Sequence, residues 1–231
     1  MRATTRLTRR GFGIMALGVL TAGCSSRPVN GDSSAQAMAE GTGKQFAGTP
    51  VEPAPSRPAL VLPDTQGQEF DLRNRPKSEV TVVFFGYTHC PDVCPTTMAD
   101  LAQARNSLPP DVRQDLQVVF VTEDPERDKP PIVREWLDRF DPDFIGLVGG
   151  TPQTKQVLEE LYLPTTQRIE EPETSVVHPD DEHEHPGDYG LEHASIIYAF
   201  APGDRVLIYT GGFTPEQYAD DFAALVNHGE R

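Results

Sequence analysis

The chain has 231 residues, 37% of them hydrophobic and 22 of them proline, and a formal net charge of −15. That length holds one domain with appended segments, and so many prolines place part of the chain in linker rather than regular structure. Residues 1–23 carry four arginines and no acid, so removing them takes −15 to −19. A chain this acidic is excluded from the nucleic-acid binders, which need clustered cations, and it suits cationic ligands better than anionic ones.

The first segment is basic at Arg2, Arg6, Arg9 and Arg10, then apolar from Gly11 to Leu20. The apolar run is shorter than the ~20 residues of a membrane span and matches the core of a signal peptide. Thr8-Arg9-Arg10-Gly11-Phe12 reads as a twin-arginine export signal. Leu20 through Cys24 resembles a bacterial lipobox, although Thr21 stands where that motif prefers an aliphatic residue. The expectation is a signal peptide over 1–23, with Cys24 lipidated as the first mature residue and the protein anchored on the extracytoplasmic side of the cell membrane. The alternative is an uncleaved anchor with Cys24 an ordinary thiol. Residues 24–58, rich in Ser, Ala, Gly, Pro and Gln and without hydrophobic periodicity, read as a disordered tether.

The domain is expected over 59–231. Ala59–Leu62 and Gln68–Leu72 flank a polar cluster at Asp64–Gly67 and predict a small β-hairpin. Val80–Phe85 is β-branched and aromatic throughout, which predicts a strand buried on both faces. Thr96 to Leu108 carries Met98, Leu101 and Leu108 at helical spacing, and Pro109-Pro110 ends it. Leu116–Val121 predicts a second buried strand, and Ile132–Phe140 an amphipathic helix. A short strand at Ile145–Val148 and a helix from Thr151 to Leu161 follow, with a strand end at Ser175–Val177. His178 to Glu192 is a polar, acidic insertion. Ala194–Phe200 and Arg205–Tyr209 predict a hairpin turned at Pro202-Gly203-Asp204, and Thr214-Pro215 opens a last helix. The order β–α–β–α–β–α, then hairpin and helix, is that of an α/β thioredoxin-like fold, a central mixed sheet flanked by helices, here with an added N-terminal hairpin.

Setting Cys24 aside leaves one pair among 3 cysteines, Cys90 and Cys94. A single close pair in an exported protein is a redox or metal site rather than a disulfide scaffold. Both sit where a buried strand ends at Gly86 and a helix begins, and the unsatisfied N–H groups of a helix start favour thiolates. Four-residue separation lets the two sulfurs form a disulfide or grip one metal ion. Thiolates select Cu(I) or Zn(II), and an added imidazole makes Cu(II) acceptable. A structural disulfide is the plainer alternative.

The run from Val82 to Thr97, which contains Tyr87-Thr88-His89-Cys90-Pro91-Asp92-Val93-Cys94-Pro95, resembles the signature of the Sco/SenC family. Thr122–Asp128 resembles that family's second block, and His193 with Ser195 its third. These are thioredoxin-fold proteins that assist assembly of the copper A centre of cytochrome c oxidase. The resemblance implies one copper ion held by Cys90, Cys94 and His193, and as partners cytochrome c oxidase subunit II and a copper donor or thiol reductant. Glu192 stands where the family commonly has aspartate, and Glu123 and Lys129 stand where smaller or uncharged residues are expected. No proline occupies Leu191-Glu192-His193, the approach that carries a cis-proline in thioredoxins, which suits a ligand position. His89, His178, His183, His185 and His228 read as non-ligating, Asp92 as a helix cap or tuning group, and Asp124 as an acid outside the ligand set. Two functions stay open: a copper metallochaperone, and a thiol–disulfide oxidoreductase that uses Cys90 and Cys94 as its redox pair to reduce the oxidase cysteines.

Overall fold

The computed structural model describes residues 46–169 and 189–227. Six strands form one mixed sheet. In chain order they are β1 (Thr49–Pro50), β4 (Val80–Gly86), β5 (Leu116–Thr122), β6 (Ile145–Leu147), β9 (Ile197–Ala201) and β10 (Arg205–Tyr209). Their spatial order is β1-β10-β9-β4-β5-β6, with β4–β5 and β5–β6 parallel and the other pairs antiparallel. Strands β2 (Val61–Pro63) and β3 (Glu69–Asp71) make the expected hairpin, and β7 (Gln167–Ile169) pairs with β8 (Gly190–Glu192) in a second one.

Strand β4 is buried along its whole length, and its alternating side chains feed two cores. Val82 and Phe84 join Met98 and Leu101 of α1 (Val93–Ser107), Val133 and Trp136 of α3 (Pro130–Leu137), and Phe222 and Leu225 of α5 (Pro215–Asn227). Val83 and Phe85 face the other way, onto Val157 and Leu158 of α4 (Thr151–Glu160) and onto Leu60, Leu62, Phe70 and Leu72 around the β2–β3 hairpin. Helices therefore cover both faces of a mixed sheet, the expected thioredoxin-like class.

Several elements differ from expectation. The expected tether includes residues 46–58, yet β1 adds to the sheet edge at β10. The N–H groups of Ala47 and Gly48 donate to Asp221 at 3.1 and 2.8 Å, so the fold starts about a dozen residues earlier than 59. Helix α3 begins at Pro130 rather than Ile132, because proline is tolerated in the first turn where its missing N–H has no partner to lose. Pro109-Pro110 ends α1 as expected and also opens a four-residue helix, α2 (Pro110–Arg113). The expected strand end at Ser175–Val177 and most of the insertion, including His178, His183 and His185, lie outside the described residues, as do Cys24 and His228.

Candidate metal centre

Strand β4 ends at Gly86, and the chain must pass very close to the following helix. A side chain at Gly86 would put its Cβ 2.8 Å from Cys94 Sγ and 3.1 Å from the Phe84 ring, so only glycine lets the cysteine seat there. The loop beyond is fixed by Asp128, whose side chain is fully buried. Its carboxylate accepts the Thr88 N–H at 2.9 Å, the Thr88 hydroxyl at 2.5 Å and the Thr122 hydroxyl at 2.6 Å. Asp128 thus ties the end of β4 to the end of β5.

Helix α1 opens at Val93, earlier than the expected Thr96, so Cys94 lies in its first turn and Cys90 on the loop before it. Cys94 is buried and Cys90 half-buried, and both are free thiols. The Cys94 N–H points at Cys90 Sγ, 3.4 Å away. A hydrogen bond from the Cys94 thiol outweighs the cost of burial and, with the backbone N–H groups of Cys94 and Asp92, holds the Cys90 thiol down to about 4. That same hydrogen bond, then burial, pushes the Cys94 thiol up. The pair is therefore asymmetric, one accessible thiolate beside one buried thiol.

The third group arrives from the other end of the sequence. His193 follows β8, and its Nε2 lies 3.6 Å from Cys94 Sγ, with the ring edge-on to Tyr87 at 5.4 Å between centroids. Tyr87 also accepts the Leu191 N–H at 3.3 Å, which ties the β8 segment to the cysteine loop. A second tie is Tyr189. Its ring lies between the guanidinium groups of Arg127 at 3.6 Å and Arg168 at 3.8 Å, and its hydroxyl donates to Asp124 at 2.7 Å. One ligand atom each from Cys90, Cys94 and His193 lies within 4.8 Å of the others.

The opposite face of the imidazole meets Glu123. His193 Nδ1 is 3.5 Å from Glu123 Oε1, with side-chain exposures of 6% and 1%. Burial is the largest influence on His193 and lowers its pKa, but the nearby Glu123 carboxylate, with Cys90, leaves it raised above the ordinary imidazole value. Burial raises Glu123 as well.

The other sequence candidates take different positions. His89 is exposed and turned to Thr88 Oγ1 at 3.1 Å and Asp128 Oδ1 at 3.5 Å, outside the cluster. Asp92 stands at the N-cap of α1 without a side-chain cap bond, so of the two roles expected for it, cap or tuning group, the side-chain cap is absent, while its backbone N–H helps to lower Cys90. Asp124 lies outside the ligand set and holds Arg127 and Tyr189. The sequence gives no sign of the roles of Tyr87, inside the cysteine run, or Tyr189, inside the polar insertion, because their partners Leu191, Asp124 and Arg127 are distant in the chain.

A family model described as SCO1/SenC matches residues 50–227. The chain belongs to the SCO1/SenC family. A SCO2-like protein of Rickettsia conorii is 33% identical over 146 residues, which cover 63% of this SCO1/SenC chain and 64% of the relative, short of two thirds of its length. The mitochondrial protein SCO1 of Saccharomyces cerevisiae is 29% identical over 61% of this chain and 43% of its own. The copper-bound structure of Bradyrhizobium japonicum ScoI is similar at a TM-score of 0.59 and 26% identity, covering 77% of this chain and 98% of that one. The apo Sco1 of Thermus thermophilus is similar at 0.59 and 27%, over 81% and 97%. The donor set of this SCO1/SenC chain can be judged by its own chemistry. Two sulfurs and one imidazole nitrogen are a soft set that fits copper. A structural zinc site would close with four ligands, and only these three gather among the described residues.

Proposed function

We propose that this protein is an extracytoplasmic copper metallochaperone that serves assembly of the copper A centre of cytochrome c oxidase, with subunit II as the recipient. Cys90, Cys94 and His193 are its copper ligands. The observation that carries this reading is the convergence of two sulfurs and an imidazole nitrogen within 4.8 Å, with Cys94 and His193 99 residues apart in sequence. Cys90 also opens onto a groove lined by Thr88, His89, Pro95, Ile132, Glu135 and Trp136, which gives a recipient site access to the sulfur.

The test is copper titration of the reduced protein, followed by absorption and magnetic resonance. Two thiolates suffice for near-linear Cu(I), whereas Cu(II) wants more ligands and nitrogen among them. His193→Ala is therefore expected to weaken Cu(II) by on the order of 100-fold or more, a full ligand counting for at least as much as the outer groups that support one, while Cu(I) changes little. Cys90→Ser and Cys94→Ser damage both. Equal losses for the two oxidation states in His193→Ala would sink the ligand assignment.

The second reading is a thiol–disulfide oxidoreductase, favoured by the asymmetry of the pair. The Cys90 thiolate would attack one sulfur of a target disulfide, and Cys94 would then displace the target thiol from the mixed disulfide. The target leaves reduced and the Cys90–Cys94 disulfide forms, to be restored by a thiol reductant. A shifted reduction potential in His193→Ala with copper binding intact favours this reading over the first.

The anchoring proposal rests on Cys24 and the export signal before it. No helix among the described residues is long and apolar enough to cross a membrane. In a bacterial host with lipoprotein processing, the protein is expected in the membrane fraction and Cys24→Ala in the soluble one. Equal retention of both on membranes would overturn lipidation.

A further inference from the structure

Glu123 is a buried carboxylate with an incomplete set of partners. It ends up there because it follows Thr122, the last residue of β5, and its N–H donates to Gly86 O at 2.7 Å, which fixes the backbone beside the cysteine loop. Of its two oxygens, Oε2 accepts the Thr166 hydroxyl. Oε1 has no hydrogen-bond partner, and neither does the buried His193 Nδ1 that stands 3.5 Å from it. Two buried polar atoms facing each other without a bond are costly where they stand, and the arrangement has a use only if one of them becomes a donor to the other.

The ring geometry says which. Nε2 faces the sulfurs, 3.6 Å from Cys94 Sγ, and Nδ1 faces the carboxylate. For Nε2 to offer its lone pair, the proton of the neutral ring must sit on Nδ1, and Glu123 Oε1 is the acceptor placed to receive it. Closing the gap to the ~2.9 Å of an ordinary N–H···O bond takes a shift of only about half an ångström. We propose that Glu123 is the positioning residue for His193: it holds the imidazole in the Nδ1–H form with Nε2 turned to the two cysteines, and Thr166 holds Glu123. This rests on the reading of His193 as a ligand. It assigns to an acid that stood out in the sequence the task of fixing tautomer and ring orientation and strengthening the nitrogen donor, as outer carboxylates do for metal-bound histidines.

The chemistry also separates the proposal from a merely structural role. A leucine at 123 removes an incompletely satisfied buried carboxylate and fills most of its volume, so folding is not expected to suffer, and replacement of buried charge by apolar groups is often neutral or stabilising. A glutamine keeps a carbonyl oxygen that can accept from Nδ1–H. The Thr166 hydroxyl accepts as well as donates, so it can adapt to the amide.

The test uses the full chain in five forms: wild type, Glu123→Leu, Glu123→Gln, His193→Ala, and Glu123→Leu combined with His193→Ala. In the metal-free protein, nitrogen chemical shifts of the His193 ring at a pH where it is neutral are expected to report the Nδ1–H form in wild type and Glu123→Gln, and the Nε2–H form or a mixture in Glu123→Leu. Glu123→Leu is expected to weaken Cu(II) by about 10- to 100-fold, with an altered magnetic-resonance spectrum, while Cu(I) affinity stays within a few-fold. Glu123→Gln should recover most of that loss. On the His193→Ala background Glu123→Leu should cost nothing further, since the carboxylate acts through the ring. An unchanged ring tautomer in Glu123→Leu, or the same Cu(II) loss with and without His193, overturns the proposal. A Cu(II) spectrum indifferent to His193→Ala would instead remove the ligand reading beneath it, and the metal-free ring shifts would still decide whether Glu123 orients the imidazole.

Discussion

Iodoacetamide added to the reduced, metal-free protein is expected to alkylate Cys90 and spare Cys94, at a rate nearly independent of pH between about 5.5 and 8. Cys90 is held down to about 4, so it is already thiolate across that window and loses reactivity only as pH falls through the lowered value. Cys94 is buried and its thiol is pushed up, so it stays protonated and shielded. The size of the rate is a poor diagnostic. At pH 6 an ordinary thiol of pKa about 8.5 is roughly 0.3% ionised, so full ionisation gains roughly 300-fold. The lower basicity of the same sulfur takes back roughly 100-fold, because nucleophilicity falls with pKa. The two nearly cancel, and only the flat profile distinguishes the site. A rate that climbs tenfold per pH unit up to 8 would mean that the Cys94 hydrogen bond does not hold Cys90 as thiolate. Peptide mapping that finds equal label at both cysteines would contradict the burial of Cys94.

That asymmetry bears on both proposed functions. For copper, one preformed thiolate means that only one further sulfur proton must leave when the ion is gripped, and metal binding then depends on pH through Cys94 and through the His193 imidazole, which must also be neutral to ligate. For thiol exchange, the accessible thiolate attacks and the buried thiol resolves. Cys90, with its groove, is the contact point under either reading.

The cysteine loop was legible because its framework is local, although Asp128, which pins Thr88, comes from 40 residues further on. A buried strand, a glycine where the chain closes on Cys94, and a helix opening behind it all lie within Val80–Ser107. His193 was legible only through resemblance. Its approach to the sulfurs depends on Tyr87 and Tyr189, whose partners Leu191, Arg127 and Asp124 are brought together by the fold. Strand β1 was invisible for a related reason. Two residues, Thr49 and Pro50, carry no periodicity, and the acid that receives the adjoining N–H groups, Asp221, sits on an otherwise apolar face of α5 more than 170 residues away. The Tyr209 hydroxyl shares that acid at 3.2 Å. Glu123 could be seen as out of place in the sequence, but only the structure supplies the imidazole that faces it. Local chemistry reads from the chain; buried polar partners across the sheet do not.

The largest stability effect is expected at Asp128, which belongs to neither the ligand set nor the apolar core. Its buried carboxylate accepts three hydrogen bonds, from the Thr88 N–H, the Thr88 hydroxyl and the Thr122 hydroxyl. Asp128→Ala leaves these donors facing a void, and at ~1–3 kcal/mol for each unsatisfied buried group the total loss should reach about 3–5 kcal/mol, less than the sum because the hydroxyls can rotate away. For a domain of this size that lowers Tm by roughly 10 °C. Asp128→Asn keeps one carbonyl oxygen for the Thr88 N–H and should lose clearly less. The local consequence follows from connectivity: Thr88 stands two residues before Cys90, so release of Thr88 loosens the loop that aims Cys90 Sγ at the Cys94 N–H. The alkylation profile of Asp128→Ala, measured well below its melting point, is therefore expected to regain a slope that wild type lacks. If thermal denaturation moves by less than about 2 °C, the carboxylate does not join the two strand ends. If the melt falls as expected while the profile stays flat, Asp128 stabilises the fold without setting the geometry of the cysteines.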